Sequence, residues 1–251
     1  SKKRVAGETL HNWLERKPIQ MTIWATIAVA IGGIVQIIPM IMVKENVPTI
    51  TEVKPYTPLE LEGRDLYIRE GCVGCHTQMV RPFRSEVERY GEYSKAGEFV
   101  YDRPFLWGSK RTGPDLHRLG GKYNDNWHFD HMLDPRETSF GSIMPSYPWL
   151  IYNRLDTSNL QDKMRTLATL GVPYSENDIA NAQKNLETQA LSIVKSLHND
   201  PKFVASYQES MKNAAVRGEE FLPMEKREII AMIAYLQRLG TDIKTKNNSS
   251  K

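Results

Sequence analysis

Several features are scarce in this chain, and each scarcity excludes something. Only two cysteines occur in 251 residues, too few for a disulfide scaffold. No internal repeat is present, which rules out a solenoid. A basic surplus is missing from most of the chain. The formal net charge is +3, and Lys2, Lys3, Arg4, Arg16 and Lys17 against Glu8 and Glu15 account for all of it within residues 1–18. The remainder is neutral, so no basic face is left over for nucleic acid, which needs clustered Lys and Arg. Charge is wholly absent from residues 19–43, the one long apolar run.

That run is 25 residues long, about 37 Å of helix at ~1.5 Å per residue. It is long enough to cross a hydrocarbon core of about 30 Å with some tilt. Trp24 suits the interface, and Pro39 falls in the last turns. A cleaved signal peptide is the competing reading, because Ala28-Val29-Ala30 imitates a cleavage site. Cleavage there would leave the apolar residues 31–43 at the new N-terminus, so a retained anchor is expected. The basic residues before the helix place the N-terminus in the cytoplasm. Everything after Lys44 then lies on the outer side, the periplasm of a Gram-negative cell. Ala28, Gly32 and Gln36 share one face that suits a partner helix.

Residues 44–58, with Pro48, Pro55 and Pro58, read as an extended linker along the lipid bilayer. A helix is expected from about Pro58 to Glu70, ending at Gly71. Residues 77–112 read as a long packed loop with a hairpin as one option, and Asn126–Leu133 as a short helix. Helices are expected over 158–170, from Ser175 through the stripe Ile179, Leu186, Ala190, Ile193, Val194 and Leu197, from Pro201 to about Arg217, and over 225–239. The tail from Lys244 is polar and is expected to be disordered.

Both cysteines lie in Cys72-Val73-Gly74-Cys75-His76. C-x-x-C-H is the attachment signature for c-type haem: two thiols form thioethers with the porphyrin and the adjacent histidine binds the iron. A thioredoxin-like redox pair lacks its βαβ surroundings. A zinc site using His128 and His131 has a spacing shorter than usual. Candidates for the second axial ligand are Met79, Met132, Met144, Met164, Met211, Met224 and Met232, together with His117, His128 and His131. Met79 is too close to His76 to reach the opposite haem face. Met164, Met211 and Met232 sit in helical patterns that suit core packing. Met144 stands before Pro145 in a loop without helical period, and it is the expected ligand. Met224 is the alternative, and the histidines stand behind both. His/Met ligation raises the iron's potential and fills both axial positions.

These residues carry a resemblance. Gly63 and Tyr67 before the haem motif, Thr112-Gly113-Pro114-Asp115-Leu116, Met144-Pro145 and Ile233-Ala234-Tyr235-Leu236 resemble the class I cytochrome c pattern. The resemblance implies that the Pro114 carbonyl orients His76 and that the last helix crosses the first near Gly63. Over nearly the whole chain, the anchor, Gly71–Pro82, Tyr90–Ser94 and Met144–Leu150 are similar to the mono-haem subunit of cbb(3)-type (C-family) cytochrome c oxidase. The fold implied is all-α. An N-terminal transmembrane helix precedes a periplasmic cytochrome c domain over 59–240, with insertions at 77–112 and 151–223 and a disordered tail over 241–251. The function implied is electron relay through one covalent haem c. The partners implied are a catalytic haem–copper oxidase subunit as acceptor and a di-haem cytochrome c subunit as donor. Oxygen reduction and proton pumping belong to the partner.

Arg81, Arg84 and Arg111 are candidates for the haem propionates, since guanidinium binds carboxylate bidentately. The aromatics of 90–107 suit either a docking face or the haem-pocket lining. Two other functions compete: a free-standing tethered shuttle between complexes, and a haem enzyme or gas sensor with an open iron position.

Overall fold

The computed structural model of the chain describes residues 7, 9–43, 48–218 and 220–244. The basic Lys2, Lys3 and Arg4, linker residues 44–47 and tail residues 245–251 lie outside the described residues. Among the described residues the chain is helical and has no strand. An isolated antiparallel bridge joins Arg154 and Arg227.

Two compact units divide the chain at Pro48. In the first, α1 (Leu10–Glu15) is capped by the Thr9 hydroxyl, which accepts from the Asn12 N–H at 3.2 Å. Next comes α2 (Pro18–Met42), with Pro18 in its first turn, where a missing N–H costs nothing. Residues 18–40 of α2 are long and apolar enough to cross a bilayer, and their side chains are exposed along the helix, as lipid contact requires.

The second unit is built on a crossing of its first and last helices. α3 (Pro58–Arg69) starts in a capping box. The Thr57 N–H donates to Glu60 Oε2 at 2.8 Å, and the Thr57 hydroxyl accepts from the Glu60 N–H at 3.4 Å. α12 (Glu228–Arg238) lies across it at Gly63. A Cβ on Gly63 would stand 1.9 Å from the Ala231 carbonyl oxygen, so only glycine permits the approach. The rings of Tyr67 and Tyr235 pack beside the crossing, 5.4 Å apart. Helix α5 (Asp125–Leu133) completes this core, with its first turn capped by Asn124.

Ile229 to Leu236 are buried without interruption, although an amphipathic helix normally exposes one face. The helical insertion explains this. α7 (Trp149–Tyr152), α8 (Leu160–Thr169), α9 (Glu176–Ala180), α10 (Ala182–Leu197) and α11 (Pro201–Arg217) follow one another, and α10 packs on α3, α5 and α12. Its stripe of Ala182, Leu186, Ala190 and Leu197 is buried inside this unit. The stripe is therefore no sign of a partner.

Other differences from expectation have local causes. The stripe is not one helix: Asn181 breaks it between α9 and α10. Residues 77–112 hold a helix, α4 (Arg84–Tyr90), and a 3-10 turn at Ala96–Phe99 in place of a hairpin. α6 (Pro135–Thr138) is a single turn. Met224–Lys226 forms a 3-10 turn, so the last helix starts three residues later than expected. The later part of the linker is held by the second unit, since Val53 is buried and the Tyr56 carbonyl accepts from the Tyr174 hydroxyl at 2.7 Å. The start of the tail is held too, because Asp242 Oδ2 takes hydrogen bonds from Arg238 at 2.5 Å and from the Lys54 N–H at 3.2 Å.

Candidate haem site

Helix α3 stops at Arg69, and Gly71 turns the chain in the left-handed region at φ 73°. Cys72–Gly74 then makes a 3-10 turn, closed by the Cys75 N–H on the Cys72 carbonyl at 3.1 Å, and the His76 N–H reaches the same carbonyl at 2.9 Å. That turn puts Cys72, Cys75 and His76 on the wall of one cavity of about 450 Å³. The cysteines are not joined to each other. Burial pushes the Cys72 thiol up to about 12, the opposite of the lowered thiol a redox pair needs.

His76 is fixed from behind. Its Nδ1–H donates to the Pro114 carbonyl at 2.8 Å, which leaves Nε2 as the lone-pair nitrogen. Burial lowers the imidazole's basicity and the Pro114 bond opposes that. Gly113 packs flat against the ring: a Cβ there would lie 2.2 Å from His76 Cε1. The turn 112–116 is in turn clamped to the segment after His76. The Gly113 N–H donates to the Cys75 carbonyl at 2.9 Å, and the Leu116 N–H to Thr77 at 2.8 Å. Asp115 accepts from the Thr77 hydroxyl at 2.6 Å and from the Met79 N–H at 2.8 Å.

Much of the remaining wall comes from α5 and the loop after it. Trp127, His128, His131 and Met132 line it, followed by Ser139 to Pro145 with Met144. Of the three wall methionines, Met132 and Met232 are buried in the core, while Met144 is half-buried on the loop. Met224 is 2% exposed, belongs to the core and does not line the cavity. The chain thus gathers a pinned imidazole, two thiols and one loop thioether around an apolar space.

The family model described as cytochrome c oxidase, mono-heme subunit/FixO matches residues 11–243. The chain belongs to that family. A search of curated proteins gave no match. The mono-haem subunit is thus a membrane-associated electron-transfer subunit of a cytochrome c oxidase, carrying one haem and one N-terminal apolar helix. Its cavity fits the cofactor: the wall supplies an imidazole whose Nε2 lone pair is free, beside two thiols. Gly113 is needed for the ring to sit where it does. Both nitrogens of His128, also on the wall, are buried without a partner, which polar groups in a finished interior rarely are.

The subunit does not use the three arginines expected at the propionates to line this cavity. Arg111 donates to Glu86 at 2.5 and 2.8 Å, to the Thr77 hydroxyl at 2.7 Å and to the Met79 carbonyl at 2.8 Å. Arg81 is turned to the same Glu86, whose carboxyl these arginines, Arg111 first, hold down at about 2. Arg84 pairs with Glu88 at 2.7 Å on the exposed face of α4. The cations that do line the cavity are Arg118 and Lys122. Arg118 is buried and donates to Glu98 at 2.5 and 2.8 Å. Burial pushes Glu98 up, but Arg118 and His117 outweigh it and hold the carboxyl at about 2. Arg118, Lys122 and the wall position of His131 carry no motif of their own in the sequence. The available signal was their place between the 112–116 turn and Met144. Of the aromatics at 90–107, Tyr90 lines the cavity and Phe99 is buried on His117, while Phe105 and Trp107 stack 4.5 Å apart and are exposed.

Proposed function

We propose that the chain relays electrons to the catalytic haem–copper subunit through one haem held covalently by Cys72 and Cys75, with His76 and Met144 as axial ligands. The observation that carries this reading is His76. Its Nδ1–H is committed to Pro114, and its Nε2 is free in a cavity that also presents both thiols and Met144. A haem bound there supplies a one-electron Fe(III)/Fe(II) couple. The chain's part is to orient the imidazole through Pro114, to exclude water with apolar walls, and to close the second axial position with a thioether. A filled site transfers electrons and leaves oxygen chemistry to the partner. Arg118 and Lys122, the cations that line the cavity, would be the ones to meet the haem's propionates, in place of Arg81, Arg84 and Arg111.

The N-terminus is cytoplasmic, α2 spans the inner membrane, and the haem unit stands in the periplasm, where a di-haem cytochrome subunit delivers the electrons. The Ala28, Gly32 and Gln36 face of α2 contacts a helix of the catalytic subunit. A free tethered shuttle gains some ground from the internal burial of the α10 stripe. Membership of an oxidase-subunit family weighs against it. The test is a dithionite-reduced spectrum of the complex purified in mild detergent. Haem c, haem b and high-spin haem travelling together support the relay. The chain running alone, with neither haem b nor copper, contradicts it.

A further inference from the structure

Two imidazoles in the cavity wall are prepared in the same way. His76 is tied at Nδ1 to the Pro114 carbonyl at 2.8 Å. His131, on α5, is tied at Nδ1 to the Thr138 hydroxyl at 2.5 Å. That hydroxyl also reaches the Pro135 carbonyl at 3.3 Å. In the tautomer the proposal takes, the hydroxyl proton goes to that carbonyl and the hydroxyl oxygen accepts the His131 Nδ1–H. The lone pair of His131 is then on Nε2, which has no hydrogen-bond partner among the described residues. Trp127 lies parallel to the ring at 4.5 Å and 11°, and Tyr123 stacks on Trp127 at 3.9 Å and 12°. The ring plane is held. Burial is the main cause that lowers His131 to about 4, so it is neutral at physiological pH. A metal-binding histidine needs these features: one nitrogen anchored, the other unprotonated, the ring oriented.

The Met144 segment is held more loosely. The Met144 N–H donates to the Ser142 hydroxyl at 3.2 Å and the Tyr147 N–H to the Met132 carbonyl at 2.8 Å, while Phe140 and Ile143, just before Met144, are exposed. We infer that His131 is a reserve axial ligand: when the Met144 thioether is removed or withdrawn, His131 Nε2 binds the iron opposite His76. This rests on the axial pair proposed above. In the exchange one iron–sulfur bond breaks and one iron–nitrogen bond forms. No electron moves, and no proton need leave, because Nε2 already carries the lone pair. The iron stays six-coordinate and closed to oxygen, at a lower potential than with methionine.

The test uses the full-length holo-chain in the ferric state, read by electron paramagnetic resonance and visible absorption. Met144→Ala is expected to stay low-spin with a bis-histidine signature. Met144→Ala with His131→Ala is expected to become high-spin and to bind added imidazole. His131→Asn in the same background gives the same result and covers the event that alanine empties the Trp127 stack and the chain fails to fold. Met144→Ala with His128→Ala stays low-spin. A high-spin Met144→Ala variant with His131 intact overturns the proposal. So does a loss of the low-spin form on replacing His128 but not His131. A wild-type ferric protein without the weak near-infrared sulfur-to-iron band overturns the Met144 reading beneath it, and the two failures are told apart.

Discussion

The two walls of the cavity are built on different principles. On the His76 side, backbone and side-chain bonds interlock. His76 is bonded to Pro114, Gly113 to Cys75, Leu116 to Thr77, and Arg111 and Asp115 bind the whole to Glu86 and Met79. On the other side, a helix carries His128, His131 and Met132, and a loop with few bonds carries Met144. One wall leaves the imidazole a single position. The other leaves the Met144 segment adjustable. On the proposed reading the difference fits a division of labour: the side that would tether the haem sets geometry, and the facing side sets potential.

Replacements on the two walls should therefore differ in kind. Gly113→Ala is expected to have the largest effect. Its Cβ would stand 2.2 Å from the His76 ring, and neither ring nor turn has room to yield, so haem bound per chain should collapse. Gly74→Ala, where a Cβ meets nothing within 4 Å, should load normally. Equal loading of the two would erase the contrast between the walls. On the loop side, Met144→Ala is expected to keep the covalent haem, lower its potential and stop electron delivery, as read by redox titration and oxygen uptake of the complex. An unchanged potential would give the distal role to another side chain.

Smaller effects follow on the supports. Glu98, held at about 2 beside buried Arg118 and His117, contributes stability that is present above the ordinary carboxylate range and lost as pH falls towards 2. Glu98→Gln should cost on the order of 3 kcal/mol near neutral pH, and its denaturation midpoint should converge on the wild type's in acid. A constant difference at every pH would contradict the ion-pair account. Arg111→Ala, which leaves Glu86 to Arg81 alone and frees the Thr77 segment, should cost about 2–3 kcal/mol in urea unfolding. Arg84→Ala removes an exposed pair and should cost under about 0.5 kcal/mol.

The legible parts of the site were local ones. Cys72, Cys75 and His76 lie within five residues, so the motif was visible without knowing the fold, whereas the place of Pro114 came with the resemblance to the class I cytochrome c pattern. The crossing at Gly63 was implied by the same resemblance, and α3 and α12 touch there. The arginines were not legible. Arg81, Arg84 and Arg111 are near the motif in sequence, but Glu86, an acidic residue on an unexpected helix, draws two of them away. Arg118 reaches the cavity because Glu98, twenty positions earlier, orients it. The apolar stripe of α10 announced that something must cover it, but only the three-dimensional packing reveals that α3, α5 and α12 do so. His131 could not be told from a surface histidine until Thr138 and Trp127 were seen around it.

The most direct test of the central claim is the mass of the denatured chain after acid-acetone extraction. One haem retained, and lost in full from a Cys72→Ala, Cys75→Ala double variant, is the predicted result. A chain that leaves extraction colourless, at the mass of its amino acids alone, would contradict the account.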